Sequence, residues 1–224
     1  MGSELRPTQH SVLSTQHSLR LLLVRHGETA WNVEGRYQGR TDVPLNATGL
    51  RQAWALAARL RGEPIAAVYA STLRRATATA EPIAAAHGLA VRRDPRLNEI
   101  DQGAWEGLRL GEIVQRWADL HARWEREPLA ARPPGGETLA EVRARVLAAL
   151  AEIVRAWDGR TVCLVAHKVS LAVVRSEALG IPLLDALRVT PPNASVEAVQ
   201  LAAPPEFCAA ATGGYTAATR PELH

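Results

Sequence analysis

Residues 19–24 read LRLLLV, and Arg25, His26 and Gly27 follow them directly. The run is too short for a stable helix, and a short apolar run bounded by polar residues is typical of a strand buried on both faces. Strands of that kind belong to parallel sheets that helices cover on both sides. The run therefore predicts the first strand of an α/β sheet, with Arg25 and His26 at its carboxyl end.

The rest of the chain alternates between strand and helix patterns. Residues 66–70 (AAVYA) and 161–166 (TVCLVA) are two more buried-strand runs, and residues 195–201 alternate enough for a late edge strand. Thr138 and Glu141 form a capping-box pattern ahead of an apolar helical stripe. This order predicts an α/β sandwich with a largely parallel sheet. We also expect a short strand at residues 89–91 and helices at residues 50–60, 73–87, 109–126, 139–157 and 169–179.

Composition indicates one globular domain between two looser ends. The chain has 224 residues, 47% of them hydrophobic, and no apolar run of about 18 residues that would span a bilayer. The first twenty residues lack the apolar segment of a signal peptide. Cys163 and Cys208 indicate no disulfide framework, so we expect a cytoplasmic protein. We expect a disordered extension at residues 1–18, the domain at residues 19–203 and a loose tail at residues 204–224.

The basic residues do not form a nucleic-acid-binding patch. The net charge is +3 and the pI is near 9.3, but arginines lie on many segments and Lys168 is the only lysine. A phosphate backbone is bound by basic residues clustered on one face. We therefore expect neither nucleic acid nor a membrane as a partner.

Two of the seven histidines directly follow predicted strands. His26 follows the first run and His167 follows TVCLVA, whereas His121 falls on the polar side of its predicted helix. Ligands of open α/β sheets bind beyond the carboxyl ends of the strands. The two histidines could therefore face one crevice, or they could be unrelated loop residues. Strand position alone does not decide between these interpretations.

Motifs that resemble one known family run through most of the chain. Arg25-His26-Gly27-Glu28-Thr29 comes first, and residues 71–80 (STLRRATATA), 98–99 (NE), 134–138 (PGGET), 166–167 (AH) and 193–195 (NAS) follow in order. Together they resemble the histidine phosphatase superfamily, also called the phosphoglycerate mutase-like family, over residues 21–201. The resemblance implies a three-layer α/β/α sandwich around a mostly parallel sheet.

The resemblance also implies roles in phosphoryl transfer. His26 is then the nucleophile, whose neutral ring nitrogen takes the phosphoryl group. Arg25 and Arg75 bind the phosphate, because a guanidinium stays charged and contacts two oxygens at once. His167 donates to a phosphate oxygen in the transition state. Neither a metal nor a cofactor is implied, and sequence spacings typical of metal sites are absent.

Three further residues have implied roles at the same site. Asn32 and Gln38 contribute neutral donors near the phosphate, and Glu99 is the general acid and base. Three other carboxylates, those of Glu28, Asp101 and Glu106, compete with Glu99 for that role. We interpret Glu28 as structural and Asp101 and Glu106 as fixing loops, and Glu137 stays open between a helix-start residue and a pocket residue.

The expected activity is hydrolysis of a phosphomonoester through a phosphohistidine on His26. The compact segment from Asn98 to the PGGET motif resembles the phosphatase branch more than the bisphosphoglycerate-dependent phosphoglycerate mutases. Two alternatives to hydrolysis are that mutase activity and phospho-ligand binding without catalysis. Many relatives have glycine after the second histidine, where this chain has Lys168, and its role stays open. We expect a small phosphorylated metabolite as substrate, but the sequence does not identify it. A homodimer is possible, and the sequence does not decide the oligomeric state.

Overall fold

One five-stranded sheet forms the centre of the structure. The structure, a computed structural model, describes residues 18–202. The strand order is β3-β2-β4-β1-β5, with β5 antiparallel to β1 and every other pair parallel. The strands are β1 (Ser18–Arg25), β2 (Ile65–Ala70), β3 (Val91–Arg93), β4 (Thr161–Ala166) and β5 (Val196–Ala202).

Helices cover both faces of this sheet. Within residues 18–202, none of them is long and apolar enough to cross a bilayer. Short 3₁₀ turns at Pro95–Leu97 and Gly103–Trp105 lie in the segment between β3 and the fourth helix. The helices are α1 (Ala30–Glu34), α2 (Ala47–Leu60), α3 (Arg74–Ala86), α4 (Leu110–Arg126), α5 (Leu139–Ala156), α6 (Lys168–Leu179) and α7 (Leu183–Arg188).

Alternate side chains of the central strands pack into two separate cores. Leu21 and Leu23 of β1 pack with α5 and α6, whereas Leu22 and Val24 pack with α2 and α3. A strand buried on both faces needs apolar residues at successive positions, as the LLLV run provides. Cys163 of β4 is fully buried in the second core, and burial raises the pKa of its thiol to about 12. The three-layer α/β/α architecture expected from the sequence is confirmed.

The predicted elements match the structure except at short or weak patterns. Strand β1 begins at Ser18, inside the expected extension, and β3 lies two residues beyond the expected 89–91. Helices α1 and α7 were not predicted, because five or six residues carry too little periodicity. The capping box of α5 is confirmed by reciprocal bonds between Thr138 and Glu141. The expectations for residues 1–17 and 203–224 lie outside the described residues.

Helix α4 departs from the predicted stripe. Trp117 has non-helical backbone angles (φ −140°, ψ 50°), and this kink changes which side chains face inward. His121 is only 6% exposed and its ring lies 5.7 Å from that of Trp105, so its prediction as a residue of the polar face is wrong. A regular 3.6-residue period applies only to an unbroken helix.

Close backbone contact fixes the loop after β1 against the start of α2. A Cβ on Gly27 would meet the Gly49 oxygen at 2.7 Å, and one on Gly49 would meet the Glu28 oxygen at 2.1 Å. Asn46 caps α2 through Gly49 N–H at 2.8 Å and donates to the Glu28 carboxylate at 2.8 Å. Only glycine permits this approach, which positions the segment that carries His26.

Gly49→Ala should lower the free energy of unfolding by about 2–3 kcal/mol, because the new methyl group forces the backbone apart. Gly62→Ala is the matched control, since a Cβ there meets nothing within 4 Å. Its stability should stay within about 0.5 kcal/mol of the parent or rise slightly. Urea unfolding measures both values, and equal stability of the two variants would contradict the close-contact argument.

Candidate active site

The parallel pairing of β1 with β4 brings the two strand-end histidines together. Arg25 is the register partner of Ala166, so His26 and His167 follow adjacent strand ends. Their ring centroids are 5.1 Å apart. His26 lines a cavity of about 600 Å³ together with Arg25 and Arg75. The structure therefore favours the one-crevice interpretation over unrelated loop histidines.

His26 is held in a single tautomer. Its Nδ1 lies 2.7 Å from the Gly27 carbonyl oxygen, which can only accept, so Nδ1 carries the proton. Nε2 then has a free lone pair and no hydrogen bond to any described residue. Burial, reinforced by the charges of Arg75 and Arg25, holds the pKa of His26 well below 6.5. The ring is therefore neutral at physiological pH, and the lone pair of its Nε2 is free.

His167 is oriented by Ser71. The Thr72 N–H donates to Asn98 Oδ1 at 2.9 Å, which identifies that atom as the acceptor. The Ser71 hydroxyl donates to the same oxygen at 2.7 Å, so its own oxygen accepts from His167 Nε2 at 2.8 Å. His167 Nδ1 is buried without a hydrogen-bond partner among residues 18–202. These hydrogen bonds leave Nδ1 free to contact a group other than Ser71 and Asn98.

The charge on His167 is also disfavoured. Its side chain is fully buried, and burial together with the charge of Arg75 holds its pKa well below 6.5. An anion next to Arg75 would offset that charge and favour protonation of His167. The protonation state of this ring is therefore coupled to the binding of an anion.

Arg75 is a completely buried cation at the start of α3. Its Nη atoms donate to the carbonyl oxygens of Thr41 at 2.8 Å and Gly39 at 2.7 Å, and its Nε has no partner. Burial lowers its pKa to about 10, so the guanidinium stays charged at neutral pH. Its neighbour Arg74 is exposed and pairs with Asp42 at 3.1 Å, as expected for a surface residue.

Arg25 is fixed by the loop that precedes β5. It donates to the Pro191 carbonyl oxygen at 2.6 Å, and its Nε is buried without a partner. Burial lowers its pKa as well. Asn193 from the same loop donates to the His26 carbonyl oxygen at 3.0 Å, so this loop supports both residues of the Arg-His pair.

Asn32 and Gln38 present amide donors to the cavity. Asn32 Oδ1 accepts from the Thr29 N–H at 3.1 Å and from Asn193 Nδ2 at 3.2 Å, which leaves its own NH₂ group unused. Gln38 Oε1 lies 3.1 Å from the Thr29 hydroxyl, and both amide side chains line the cavity. Their role as donors to a phosphate stays a prediction.

Glu99 lies at the cavity wall on a loop that Arg145 holds. Its carboxylate accepts from the Ile100 N–H at 3.0 Å and from the Val169 N–H at 3.2 Å. Arg145 donates to the backbone oxygens of Asn98 at 2.6 Å and Glu99 at 2.9 Å. These contacts set the position of the Glu99 side chain relative to His26.

Glu137 and Glu106 fix loops around the site. Glu137 accepts from Arg145 at 3.0 Å and from the Asp101 N–H at 3.0 Å, so it is neither a helix cap nor a cavity-lining residue. Glu106 accepts from the Arg40 and Thr41 N–H groups at 2.7 and 2.9 Å, which confirms its interpretation as a loop-fixing residue. Among residues 18–202, no group of three or more His, Cys, Asp and Glu side chains is arranged to hold a metal ion.

The sequence interpretation missed the residues that support these side chains. Ser71 directly follows β2 at the same sheet edge as the two histidines, and that position was a usable signal. Pro191 and Arg145 had no such signal, because one acts through a carbonyl oxygen and the other from the middle of a helix. The aromatic Trp124 and Tyr37 line the cavity, whereas Trp105 is fully buried in the core.

Comparison with known proteins identifies the family. A model of the histidine phosphatase superfamily (branch 1) matches residues 21–204. The chain belongs to this superfamily. The motif resemblance is thereby confirmed, and so is the fold that it implied.

Members of the histidine phosphatase superfamily similar to this chain include phosphatases and a probable mutase. Phosphoserine phosphatase 1 of Hydrogenobacter thermophilus is 38% identical over 74% of this chain and 78% of its own. A probable phosphoglycerate mutase of Klebsiella pneumoniae is 38% identical over 81% of this chain and 84% of its own. The structure of mycobacterial glucosyl-3-phosphoglycerate phosphatase with VO3 has a TM-score of 0.73 and 34% identity, covering 80% of this chain and 90% of its own.

The free energy of unfolding should fall as the pH drops below 6.5. The two site histidines stay neutral in the folded chain, whereas on unfolding they regain an ordinary pKa of 6.5. The unfolded chain therefore binds more protons, and each histidine contributes up to about 1.4 kcal/mol per pH unit. Their contribution is complete above pH 6.5 and is lost on acidification toward the folded pKa values.

Urea unfolding between pH 7 and pH 5 in phosphate-free buffer measures this dependence. His26→Asn should remove about half of the part of the slope that comes from the two histidines. A slope in His26→Asn identical to that of the parent chain would show that the buried rings do not carry the effect.

Proposed function

We propose that this chain is a phosphomonoester hydrolase that forms a phosphohistidine on Nε2 of His26. One observation carries the proposal. Arg25 and Arg75 line the same cavity as His26, and their Nε atoms are buried without hydrogen-bond partners among the described residues, as is Nδ1 of the neighbouring His167. Buried polar atoms in proteins are nearly always hydrogen-bonded. A tetrahedral oxyanion has enough acceptor oxygens to engage both guanidinium N–H groups, and Nδ1 of His167 as well once that ring is protonated.

The first step transfers the phosphoryl group to the enzyme. The lone pair of His26 Nε2 attacks phosphorus in line, the N–P bond forms and the P–O ester bond breaks. The two arginines neutralise the equatorial oxygens, so the charge of the site itself supports catalysis without a metal. A protonated Glu99 gives its proton to the leaving alkoxide.

The second step returns the enzyme to its resting state. Glu99, now a carboxylate, removes a proton from a water molecule as the water oxygen attacks phosphorus. The N–P bond breaks, inorganic phosphate leaves and His26 regains its free lone pair. One carboxyl group thus supplies and removes the single proton that each turnover moves.

His167 supports both steps as a cation. The bound phosphoryl group offsets the charge of Arg75, which favours protonation of His167. Nδ1 then donates to a phosphoryl oxygen, while Nε2 keeps its bond to Ser71. Asn32 and Gln38 add neutral donors.

The phosphatases among the relatives support hydrolysis of a small phosphorylated metabolite. They include the phosphoserine and glucosyl-3-phosphoglycerate phosphatases named above. Phosphoglycerate mutase activity is the second candidate, because the probable mutase is equally similar in sequence. Phosphoglycerate interconversion that depends on added bisphosphoglycerate would favour the mutase. Phosphate binding with neither activity would favour a non-catalytic phospho-ligand-binding protein.

The chain should release phosphate from p-nitrophenyl phosphate in EDTA, and His26→Ala should lower the rate at least about a thousandfold. Acid quenching is unsuitable for the intermediate, because phosphohistidine is acid-labile. A base-stable, acid-labile phosphoryl adduct should be trapped instead from the parent chain. His87→Ala, which changes a histidine outside the cavity, should still release phosphate and form the adduct. An adduct on serine or aspartate, or activity that EDTA abolishes, would refute the mechanism.

Glu99→Gln should slow phosphoenzyme formation according to the leaving group. Alkyl phosphates need a proton on the leaving oxygen, so kcat/KM should fall at least about a hundredfold. p-Nitrophenolate leaves without a proton, so its kcat/KM should fall less than about tenfold. Glu125→Gln is the matched control, since Glu125 of α4 lines the same cavity with a side chain that is 68% exposed. Equal slowing of both substrates would remove Glu99 from the acid role.

A further inference from the structure

Lys168 is a cation in the active-site cavity with no protein partner. It is the first residue of α6, directly after His167, and its side chain is half-buried against the cavity. Within residues 18–202, it forms neither a hydrogen bond nor an ion pair. It is also the single lysine in a chain with 26 basic residues.

The other cations of the cavity are already engaged. Arg36 is bound by Glu34 and by the Gly107 carbonyl oxygen, and Arg188 lies 3.3 Å from Asp185. Arg25 and Arg75 hold backbone oxygens and surround His26. Among the described residues, Lys168 is therefore the one cation lining the cavity that has neither a hydrogen bond nor an ion pair.

A half-buried ammonium group is costly unless an anion neutralises it. Burial lowers the pKa of Lys168, although the nearby Glu99 charge opposes that shift. Glu99 is not close enough for an ion pair, and its carboxylate is bound by two backbone N–H groups. Charged groups in such positions are normally paired. An anion from outside the protein is the partner that this position fits.

We propose that Lys168 binds a carboxylate that the substrate carries beyond its phosphoester carbon. This inference rests on the proposed function and specifies its substrate class. A lone ammonium matches the single charge of a carboxylate, whereas a second phosphate would bring about two charges. Lys168 and the two arginines line one cavity of about 600 Å³, so this inference requires a single small molecule that carries both a phosphate and a carboxylate.

Two substrates that differ only in this group provide the test. 3-Phosphoglycerate and glycerol 3-phosphate share three carbons and one phosphoester, but a hydroxymethyl group replaces the carboxylate in the second. The ratio of their kcat/KM values is measured for the parent chain and for Lys168→Met and Lys168→Arg. Arg59→Met, at the far end of α2, controls for the loss of one positive charge.

In the parent chain, kcat/KM should be higher for 3-phosphoglycerate than for glycerol 3-phosphate. The ratio of the two values should fall at least tenfold in Lys168→Met. Lys168→Arg should restore it to within threefold, and Arg59→Met should leave it unchanged. An unchanged ratio in Lys168→Met would overturn the proposal. So would an equal loss for both substrates, because Lys168 would then act on the phosphoryl group itself.

Binding to the His26→Ala chain separates this inference from the proposed function. Calorimetry with 3-phosphoglycerate and glycerol 3-phosphate gives the same ratio from Kd values, without turnover. The preference for 3-phosphoglycerate over glycerol 3-phosphate is compared between His26→Ala and His26→Ala with Lys168→Met. If that preference falls tenfold while even the parent chain releases no phosphate, the hydrolase proposal fails and the carboxylate site stands. Thermal unfolding of each variant checks its fold, and Lys168→Gln replaces Lys168→Met if the latter is unstable. An unchanged Kd ratio in a folded variant rejects the site.

Discussion

The hydrogen-bonded register between β1 and β4 is the constraint on which the rest of the site depends. It aligns Arg25 with Ala166 and so places the next residue of each strand side by side. Both strands are buried on both faces, and a shift of one residue would turn their apolar side chains into the wrong layer. The packing of two cores therefore fixes the distance between the two histidine rings, although neither ring belongs to a core.

Burial has opposite consequences for the two kinds of charged group at this site. The imidazoles lose their protons, because their ordinary pKa of 6.5 is close enough to neutrality for burial and neighbouring cations to decide their state. Arg75 keeps its charge, because burial lowers its pKa only to about 10. The same environment thus produces neutral rings beside permanent cations. A nucleophile beside an anion-binding group needs this combination.

The sequence was sufficient for the central strands and for the residues whose chemistry depends on side-chain type. Runs of Leu, Val and Ala gave β1, β2 and β4, and the motifs gave His26 and His167. The sequence was insufficient where backbone atoms do the positioning. Arg75 is held by the carbonyl oxygens of Gly39 and Thr41, which every residue type possesses. The kink at Trp117 likewise left no mark in the periodicity, so the inward orientation of His121 was missed.

The two edges of the sheet differ in what they can tolerate. Strand β5 pairs only with β1, and the loop that leads into it supplies the Pro191 oxygen and the Asn193 amide to the Arg-His pair. Insertions between α7 and β5 would therefore disturb the supports of Arg25 and His26 directly. Strand β3 closes the opposite edge with three residues, and its nearest neighbour is β2. Variation in the length of the turn before β3 is compatible with an unchanged cavity, whereas variation before β5 would displace groups that hold Arg25 and His26.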